Sequence, residues 1–243
     1  MEIISEDKLR YLAGKHGYNL TYLEKDYFLT ILLYMIKDVQ GIYFKGGTCL
    51  NKIFLDHTRL SEDLDFASTE PIENVRKSID ASIDKKIFPK IETDKTTQDF
   101  VRYHIYYKSH FQSNSYLLLD INGKATIHLK TELRKVPNFY GLDFSINCLN
   151  IDEIVAEKIR ALITRNQPRD YYDVYFILGK YKPNMDLVKG KIKEAREVFD
   201  MERVFRNANK IYSNWDADLV PLTNKKVDFL TVIKFLEKKL GRD

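Results

Sequence analysis

Hydrophobic residues follow three successive patterns along this chain: helical spacing at the start, strand-like alternation in the middle and helical spacing again to the end. The helical spacing predicts helices over residues 5–15, 20–38, 48–55, 71–88, 152–165, 168–181, 183–210 and 225–240. Short apolar runs and alternating segments predict strands over residues 42–44, 64–68, 101–108, 115–121 and 126–133. The pattern changes near Asn150, which predicts a mixed α/β lobe over residues 1–150 and a helical lobe over residues 151–243.

Local residue types predict how some of these elements begin and connect. Ser5 is suited to be the N-cap of the first helix. Gly46 and Gly47 come between a strand and a helix, where they are predicted to form a tight turn. The sequence INGK, residues 121–124, predicts a hairpin turn between the two alternating segments on either side of it. These segments would then pair into the same sheet.

The composition indicates a folded protein with a sizeable core, because 44% of its 243 residues are hydrophobic and 30% are charged. The longest apolar run, residues 27–36, is too short to span a bilayer, and the start of the chain lacks a secretory pattern. Cys49 and Cys148 are too few for a disulfide framework, and no cysteine or histidine pair has zinc-site spacing. We therefore expect a soluble protein of the cytoplasm with no membrane partner.

The segment from Gly46 to Asp65 carries the strongest chemical signal. Backbone N–H groups at a glycine turn and helix start can bind an anion, and Thr48 would add a hydroxyl donor. Asp63 and Asp65 lie two apart on a predicted strand, so their carboxylates share a face and repel each other unless a hard divalent cation binds them. The segment has neither the P-loop pattern nor the G-x-G-x-x-G fingerprint. It predicts a site for a nucleoside triphosphate and one or two Mg²⁺ ions.

The same segment resembles the first motif of the AbiEii family, the nucleotidyltransferase-fold toxins of type IV toxin–antitoxin systems. The motif has a Gly-Gly or Gly-Ser start, a spaced leucine and R-x-S-x-D-x-D, at positions Gly46, Gly47, Thr48, Leu50, Arg59, Ser61, Asp63 and Asp65. Residues 24–33 resemble the helix before this motif, residues 151–178 resemble a later motif with A-E-K and R-D-x-x-D, and residues 214–219 also fit. The resemblance implies an α+β fold with a mixed sheet flanked by helices, and a helical lobe that completes the active site.

The resemblance also implies which residues act. The catalytic residues would be Asp63, Asp65, Asp120, Lys158 and Asp170, and the nucleotide would contact Gly46, Gly47, Thr48, Arg59, Ser61 and Lys158. Asp63 and Asp65 would hold the metal ions, and a third carboxylate would complete the site and draw a proton from the acceptor. Asp120, at the end of an apolar strand, is favoured for that place over Glu132.

Two further pairs have alternative roles. Arg59 and Ser61 would either brace the metal loop or bind phosphate. Lys158 would contact the triphosphate and offset developing charge, although a helical lysine is usually solvated. Asp170 would orient Lys158 or serve as the structural partner of an arginine.

The reaction that the resemblance implies is Mg²⁺-dependent transfer of a nucleotide from a triphosphate to RNA, in some members to the 3′ end of tRNA. A cognate antitoxin would be the other partner. The excess of Lys and Arg after Gly179 suits a polyanion. The alternatives are a nucleotidyltransferase that modifies a small molecule or a protein, and a non-catalytic module of the same fold that binds nucleotide or RNA.

Overall fold

The computed structural model describes residues 3–200, 202–206 and 208–240. The chain divides into two compact units, Met1–Asn150 and Ile151–Asp243, and each unit is described by itself.

The first unit is built around one mixed sheet. Its strands are β1 (Ile42–Lys45), β2 (Asp63–Ser68), β3 (Lys90–Thr97), β4 (Phe100–Tyr106), β5 (Tyr116–Asn122), β6 (Glu132–Lys135) and β7 (Ser145–Cys148). The strand order is β3-β4-β5-β2-β1-β7-β6. Strand β2 pairs in parallel with β5 and antiparallel with β1, so the strand that begins with Asp63 lies near the middle of the sheet.

The helices of the first unit are α1 (Glu6–His16), α2 (Leu20–Ile36), α3 (Gly46–Cys49), which continues as a π-helical turn over Leu50–Phe54, and α4 (Ile72–Ser82). Of these helices, α1 and α2 begin at side-chain caps. The Ser5 hydroxyl accepts a hydrogen bond from the N–H of Lys8 at 3.3 Å, which confirms the predicted N-cap. Asn19 caps α2 in the same way. Helix α2 is buried along most of its length, and its buried residues include the polar Glu24, Asp26 and Thr30.

The two faces of the sheet differ in burial. Leu64, Val101 and Ile121 point to one face and are fully buried. Asp65 and Arg102 point to the other face and are only half-buried. We call this second face the open face, and the alternation along each strand decides which side chains reach it.

Several predicted elements differ from the structure. The hairpin at residues 121–124 is wrong, because the neighbours of β5 are β4 and β2, while β6 pairs with β7. Most of the predicted strand 126–133 lies outside any strand, and β6 begins only at Glu132. Gly46 and Gly47 form the first turn of α3 and not a separate turn before it. A local pattern cannot show which strands become neighbours, since that depends on residues distant in the chain.

The second unit is helical. Its helices are α5 (Ile151–Thr164), α6 (Pro168–Lys180), α7 (Met185–Glu194), α8 (Glu202–Arg206), α9 (Ala208–Leu219) and α10 (Phe229–Leu240). Pro168 occupies the first turn of α6, where its missing N–H costs nothing. Trp215 on α9 is buried and packs on Phe229 of α10, with ring centroids 5.3 Å apart. Across the described ranges of the chain, none of the helices combines the length and hydropathy that a membrane span requires.

Candidate active site

Four charged residues lie side by side across neighbouring strands of the open face. Lys45 on β1 is opposite Asp65 on β2, which is opposite Asp120 on β5. Asp120 is in turn opposite Arg102 on β4. Residues opposite in register share a face, with neighbouring strands about 5 Å apart. We call these four residues the charged row; Asp63, two residues before Asp65, shares its face.

Gly46 brings the start of α3 directly against the carboxylate of Asp65. Its φ of +75° lies in the left-handed region, which glycine adopts at little cost. A Cβ atom at this position would lie 2.1 Å from Oδ2 of Asp65, a distance that leaves no room for a side chain. Glycine is therefore required here by both the backbone conformation and the close approach of the carboxylate.

The Thr48 hydroxyl is used within the protein. It donates a hydrogen bond to the carbonyl oxygen of Asp63, and Thr48 is buried. One turn later, Nδ2 of Asn51 donates to the carbonyl oxygen of Gly47 at 3.0 Å. The sequence predicts a phosphate donor at Thr48, but its single proton is committed to the backbone in this structure. Thr48 instead fixes the distance between α3 and β2.

Arg59 and Ser61 are both buried in the loop that leads into β2. Nη1 of Arg59 donates to the hydroxyl of Ser61 at 3.1 Å and to the carbonyl oxygen of Leu60 at 2.9 Å. The backbone N–H of Arg59 donates to Oδ1 of Asn51 at 3.3 Å. Of the two alternatives for this pair, the geometry supports bracing of the loop over binding of phosphate.

The two alternatives for the third carboxylate occupy different places in the sheet. Asp120 is opposite Asp65 on the open face. Glu132 lies on the edge strand β6 and is opposite Cys148, which is opposite the fully buried Phe44. Because residues opposite in register share a face, Glu132 points away from the open face. The geometry therefore favours Asp120 as the neighbour of Asp65.

Arg102 binds both oxygens of Asp120. Nε donates to Oδ1 at 2.8 Å and Nη2 donates to Oδ2 at 2.6 Å, a bidentate pairing. The hydrogen bond to Asp120 raises the pKa of Arg102, against the effect of burial, and the nearby Asp65 also raises it. The sequence analysis missed Arg102, since its alternating strand shows a polar side but not which strand lies beside it.

The carboxylates of the open face are suitable ligands for a hard cation, but they do not form a cluster of three. Carboxylate oxygens such as those of Asp63 and Asp65 are the ligands that Mg²⁺ prefers. Within the described part of the chain, no three histidine, cysteine, aspartate or glutamate side chains are placed to hold a metal ion together. Asp63 and Asp65 fit a Mg²⁺ site, while both oxygens of Asp120 are bound by Arg102.

Lys158 lies in a buried ion-pair network of the second unit. Its Nζ is 2.7 Å from Oδ2 of Asp173 and 3.2 Å from Oδ1 of Asp170. Arg165 donates to both oxygens of Asp170, at 2.7 and 2.6 Å. Lys158 is 5% exposed and both aspartates are fully buried. Asp170 therefore pairs with Lys158 and with an arginine at once, and Asp173 is the closer partner of Lys158.

The network keeps Asp170 ionised although the residue is buried. Burial alone raises the pKa of Asp170, but Lys158 and Arg165 outweigh it and hold the pKa below its ordinary value of 3.8. The positive charges of Lys158 and Arg165 then balance the negative charges of Asp170 and Asp173. The sequence analysis missed Arg165, whose only signal was its position just before the R-D-x-x-D motif.

A second buried ion pair holds the π-helical turn against α2. Nζ of Lys52 lies 2.7 Å from Oδ1 of Asp26 and donates to the hydroxyl of Thr30 at 3.0 Å. The hydroxyl of Tyr140 donates to Oδ2 of Asp26 at 3.0 Å. The sequence analysis did not predict this pair, because a charged residue on an amphipathic helix is usually solvated. The Lys52–Asp26 ion pair stabilises the position of the helix that carries Gly46 and Thr48.

Comparisons with known proteins identify the family and the fold. Residues 31–231 match the family described as nucleotidyl transferase AbiEii toxin, type IV TA system. MenT4, a nucleotidyltransferase toxin from Mycobacterium tuberculosis H37Rv, has a similar structure, with a TM-score of 0.74 at 19% sequence identity over 98% of this chain and 89% of that chain. JHP933 from Helicobacter pylori gives a TM-score of 0.65 at 21% identity over 91% of both chains. No curated protein sequence matches the chain.

At these identities the solved structures show the fold, a mixed sheet with helices of the nucleotidyltransferase-toxin kind. The family match spans most of the 243 residues and includes both the Asp63–Asp65 pair and Lys158. The chain therefore belongs to the AbiEii family of type IV toxin–antitoxin toxins and is a nucleotidyltransferase.

Proposed function

We propose that this nucleotidyltransferase uses Mg²⁺ to transfer a nucleotide from a nucleoside triphosphate to RNA, at the 3′ end of tRNA: an acceptor hydroxyl attacks the α-phosphorus and pyrophosphate leaves. The observation that carries the proposal is the pair Asp63 and Asp65 on the open face, with Asp65 directly against Gly46. A module that only bound nucleotide or RNA would gain nothing from two crowded carboxylates. Because triphosphates and tRNA are cytoplasmic, we expect the reaction to take place there.

Each residue of the first motif has its own task in this reaction. Asp63 and Asp65 would hold Mg²⁺ through their carboxylate oxygens. Mg²⁺ bound there supplies charge neutralisation at the phosphate oxygens and polarises the phosphorus that the acceptor hydroxyl attacks. Gly46 and Gly47 leave the main chain uncovered for the triphosphate, and Thr48 holds this turn to β2. The protein contributes mainly positioning and charge stabilisation.

Asp120 would complete the site and accept the proton of the acceptor hydroxyl. Its position opposite Asp65 supports this role. Arg59 and Ser61 would hold the preceding loop, so that the two aspartates enter β2 in one fixed register.

Lys158 would contact the triphosphate, with Asp170 and Asp173 fixing its ammonium group. The support for this role is the rigid placement of Nζ by two carboxylates. A purely structural ion pair would show the same contacts, and the two roles predict different results when Lys158 is replaced.

An RNA acceptor is supported by the charge of the helical unit. From Gly179 to the end, the sequence has fifteen Lys and Arg against ten Asp and Glu. Phosphate contacts supply most of the affinity of such surfaces for nucleic acid. As a type IV toxin, the protein would also have a cognate antitoxin as its partner.

The test is to incubate the protein with Mg²⁺, total tRNA and each labelled nucleoside triphosphate in turn. We expect one triphosphate to label tRNA, and Asp65→Asn to abolish labelling. Asp143→Asn is the matched control, because Asp143 is exposed and forms an ion pair with Lys135 at 2.8 Å, at the edge of the sheet. Label in a small acceptor or in protein, or an active Asp65→Asn variant, would contradict the proposal.

A further inference from the structure

Neither the motif nor the proposed reaction explains Arg102, which lies at one end of the charged row. Its guanidinium group covers both oxygens of Asp120, which is the third carboxylate of the site. The side chain of Arg102 is 39% exposed and that of Asp120 is 18% exposed. The pair also lies next to Asp65 on the open face, so its charges act on the neighbouring carboxylates as well as on each other.

The charges of the row show what that role is. Asp65 and Asp120 are opposite each other on neighbouring parallel strands, with Asp63 on the same face. Three carboxylates this close repel one another unless positive charge lies among them. Arg102 supplies that charge in the protein without a metal ion, and Lys45 lies at the opposite end of the row.

A fixed positive charge beside a metal site also acts on the metal. Arg102 repels a divalent cation and competes with it for the oxygens of Asp120. A triphosphate brings several negative charges of its own, which offset this repulsion. A cation would then bind well only together with the nucleotide.

Building on the proposed function, we propose that Arg102 lowers the affinity of the Asp63, Asp65 and Asp120 carboxylates for divalent cations in the absence of nucleotide. Arg102 is thus a positioning residue that keeps Asp120 beside Asp65 and balances its charge. Removing the guanidinium group should make cation binding tighter, which loss of a merely structural ion pair would not do.

The measurement is the binding of Mn²⁺ alone to the nucleotide-free protein, with free Mn²⁺ counted by electron paramagnetic resonance. We expect Arg102→Met to bind Mn²⁺ about five- to tenfold more tightly than the wild type, from the loss of a unit charge a few ångströms from a dication in a partly hydrated site. Arg102→Lys keeps the charge and should bind nearly as the wild type does. Unchanged or weaker binding by Arg102→Met would overturn the inference.

Two controls separate the effect of Arg102 from that of charge in general. Lys124→Met removes a lysine that pairs with Asp99 at 3.1 Å on an exposed part of the same unit, and it should leave Mn²⁺ affinity unchanged. In the double variant Arg102→Met and Asp120→Asn, Mn²⁺ binding should be no tighter than in the wild type. The reason is that the Asp120 carboxylate, which Arg102→Met would free for the cation, is no longer present. Equal gains in Lys124→Met and Arg102→Met would also refute a specific role.

The experiment distinguishes failure of the inference from failure of the proposed function. If wild type binds Mn²⁺ and Asp65→Asn does not, but Arg102→Met binds no more tightly, only the role of Arg102 is wrong. If neither wild type nor Arg102→Met binds Mn²⁺ without nucleotide, the inference fails, whereas the proposed function fails only if tRNA is not labelled or Asp65→Asn still labels it. Arg102→Gln is the second variant if Arg102→Met does not fold, and a failure of both to fold would show a structural role and overturn the inference.

Discussion

At the scale of single residues, Gly46 is the position where the main chain and the chemistry constrain each other most. The left-handed φ of +75° makes a side chain costly, and the contact with Asp65 leaves no space for one. A glycine in a tight turn can often be replaced at the cost of strain alone. Here the added Cβ would have to displace the carboxylate that is proposed to hold the metal ion.

Gly46→Ala should therefore impair catalysis more than stability. We expect a loss of about 1–3 kcal/mol in the free energy of unfolding from backbone strain. Nucleotide transfer should fall about a hundredfold, because a displacement of about 1 Å in a catalytic group has that effect. The measurements are chemical unfolding and the rate of label incorporation.

Gly141→Ala is the matched control for this variant. Gly141 has a similar φ of +81°, but a Cβ atom there would meet nothing within 4 Å. Gly141→Ala should lower the free energy of unfolding through backbone strain and leave the rate of nucleotide transfer unchanged. If Gly141→Ala lost as much activity as Gly46→Ala, or if Gly46→Ala stayed fully active, the contact with Asp65 would not matter for the reaction.

At the scale of elements, helices α5 and α6 are joined by charges that are out of contact with water. Lys158 comes from α5, while Asp170 and Asp173 lie one turn apart on α6. Residues three apart share a helix face, so both carboxylates meet the same ammonium group. Such a network holds two helices in one register, but removal of one member leaves its partners buried and uncompensated.

Lys158→Met should destabilise the helical unit by about 3 kcal/mol, since two buried carboxylates would lose the ammonium group that they share. Trp215, the single tryptophan of the sequence, lies in this unit, so its fluorescence during urea unfolding measures the change. Lys182→Met, at an exposed lysine in the loop after α6, should have little effect.

The same variant tests the proposed phosphate contact of Lys158. A variant that is folded, only slightly destabilised and inactive would support the contact with the triphosphate. A variant that is destabilised but transfers nucleotide normally once folded would show that Lys158 is structural.

At the scale of the whole molecule, one buried histidine makes stability depend on pH. His57 is 6% exposed and lies in a left-handed turn, with φ of +54°. Among the described residues, its Nε2 is buried without a hydrogen-bond partner. Burial, with a smaller effect of Lys52, lowers the pKa of His57 from 6.5 to about 4.

The sign of the effect follows from proton binding. Between pH 6.5 and pH 4 the unfolded chain protonates this histidine and the folded protein does not, so stability should fall as the pH is lowered through this window. The contribution is about 3 kcal/mol by linkage. Circular dichroism during chemical unfolding at several pH values measures it. His57→Asn suits the left-handed backbone and should have a flatter profile; an equally steep profile in this variant would assign the dependence to other groups.

Much of the fold could be predicted because its signals are local. Helix α1 begins after Ser5 as predicted, and the predicted helix over residues 168–181 is observed as Pro168–Lys180. Caps, prolines and apolar spacing act within a few residues, so the sequence shows them directly. The edge strand β3 was missed, because its residues are nearly all polar and exposed and give no alternation.

The sequence by itself determined that Asp63 and Asp65 share a face of one strand, that Gly46 precedes them by one helix, and that the motif belongs to a nucleotidyltransferase. Only the tertiary structure decided which strands lie beside β2. That order placed Asp120 opposite Asp65, turned Glu132 to the other face and brought Arg102 onto Asp120. The physical reason is that strand pairing joins residues far apart in the chain, and its register, which no local pattern encodes, decides which charges meet.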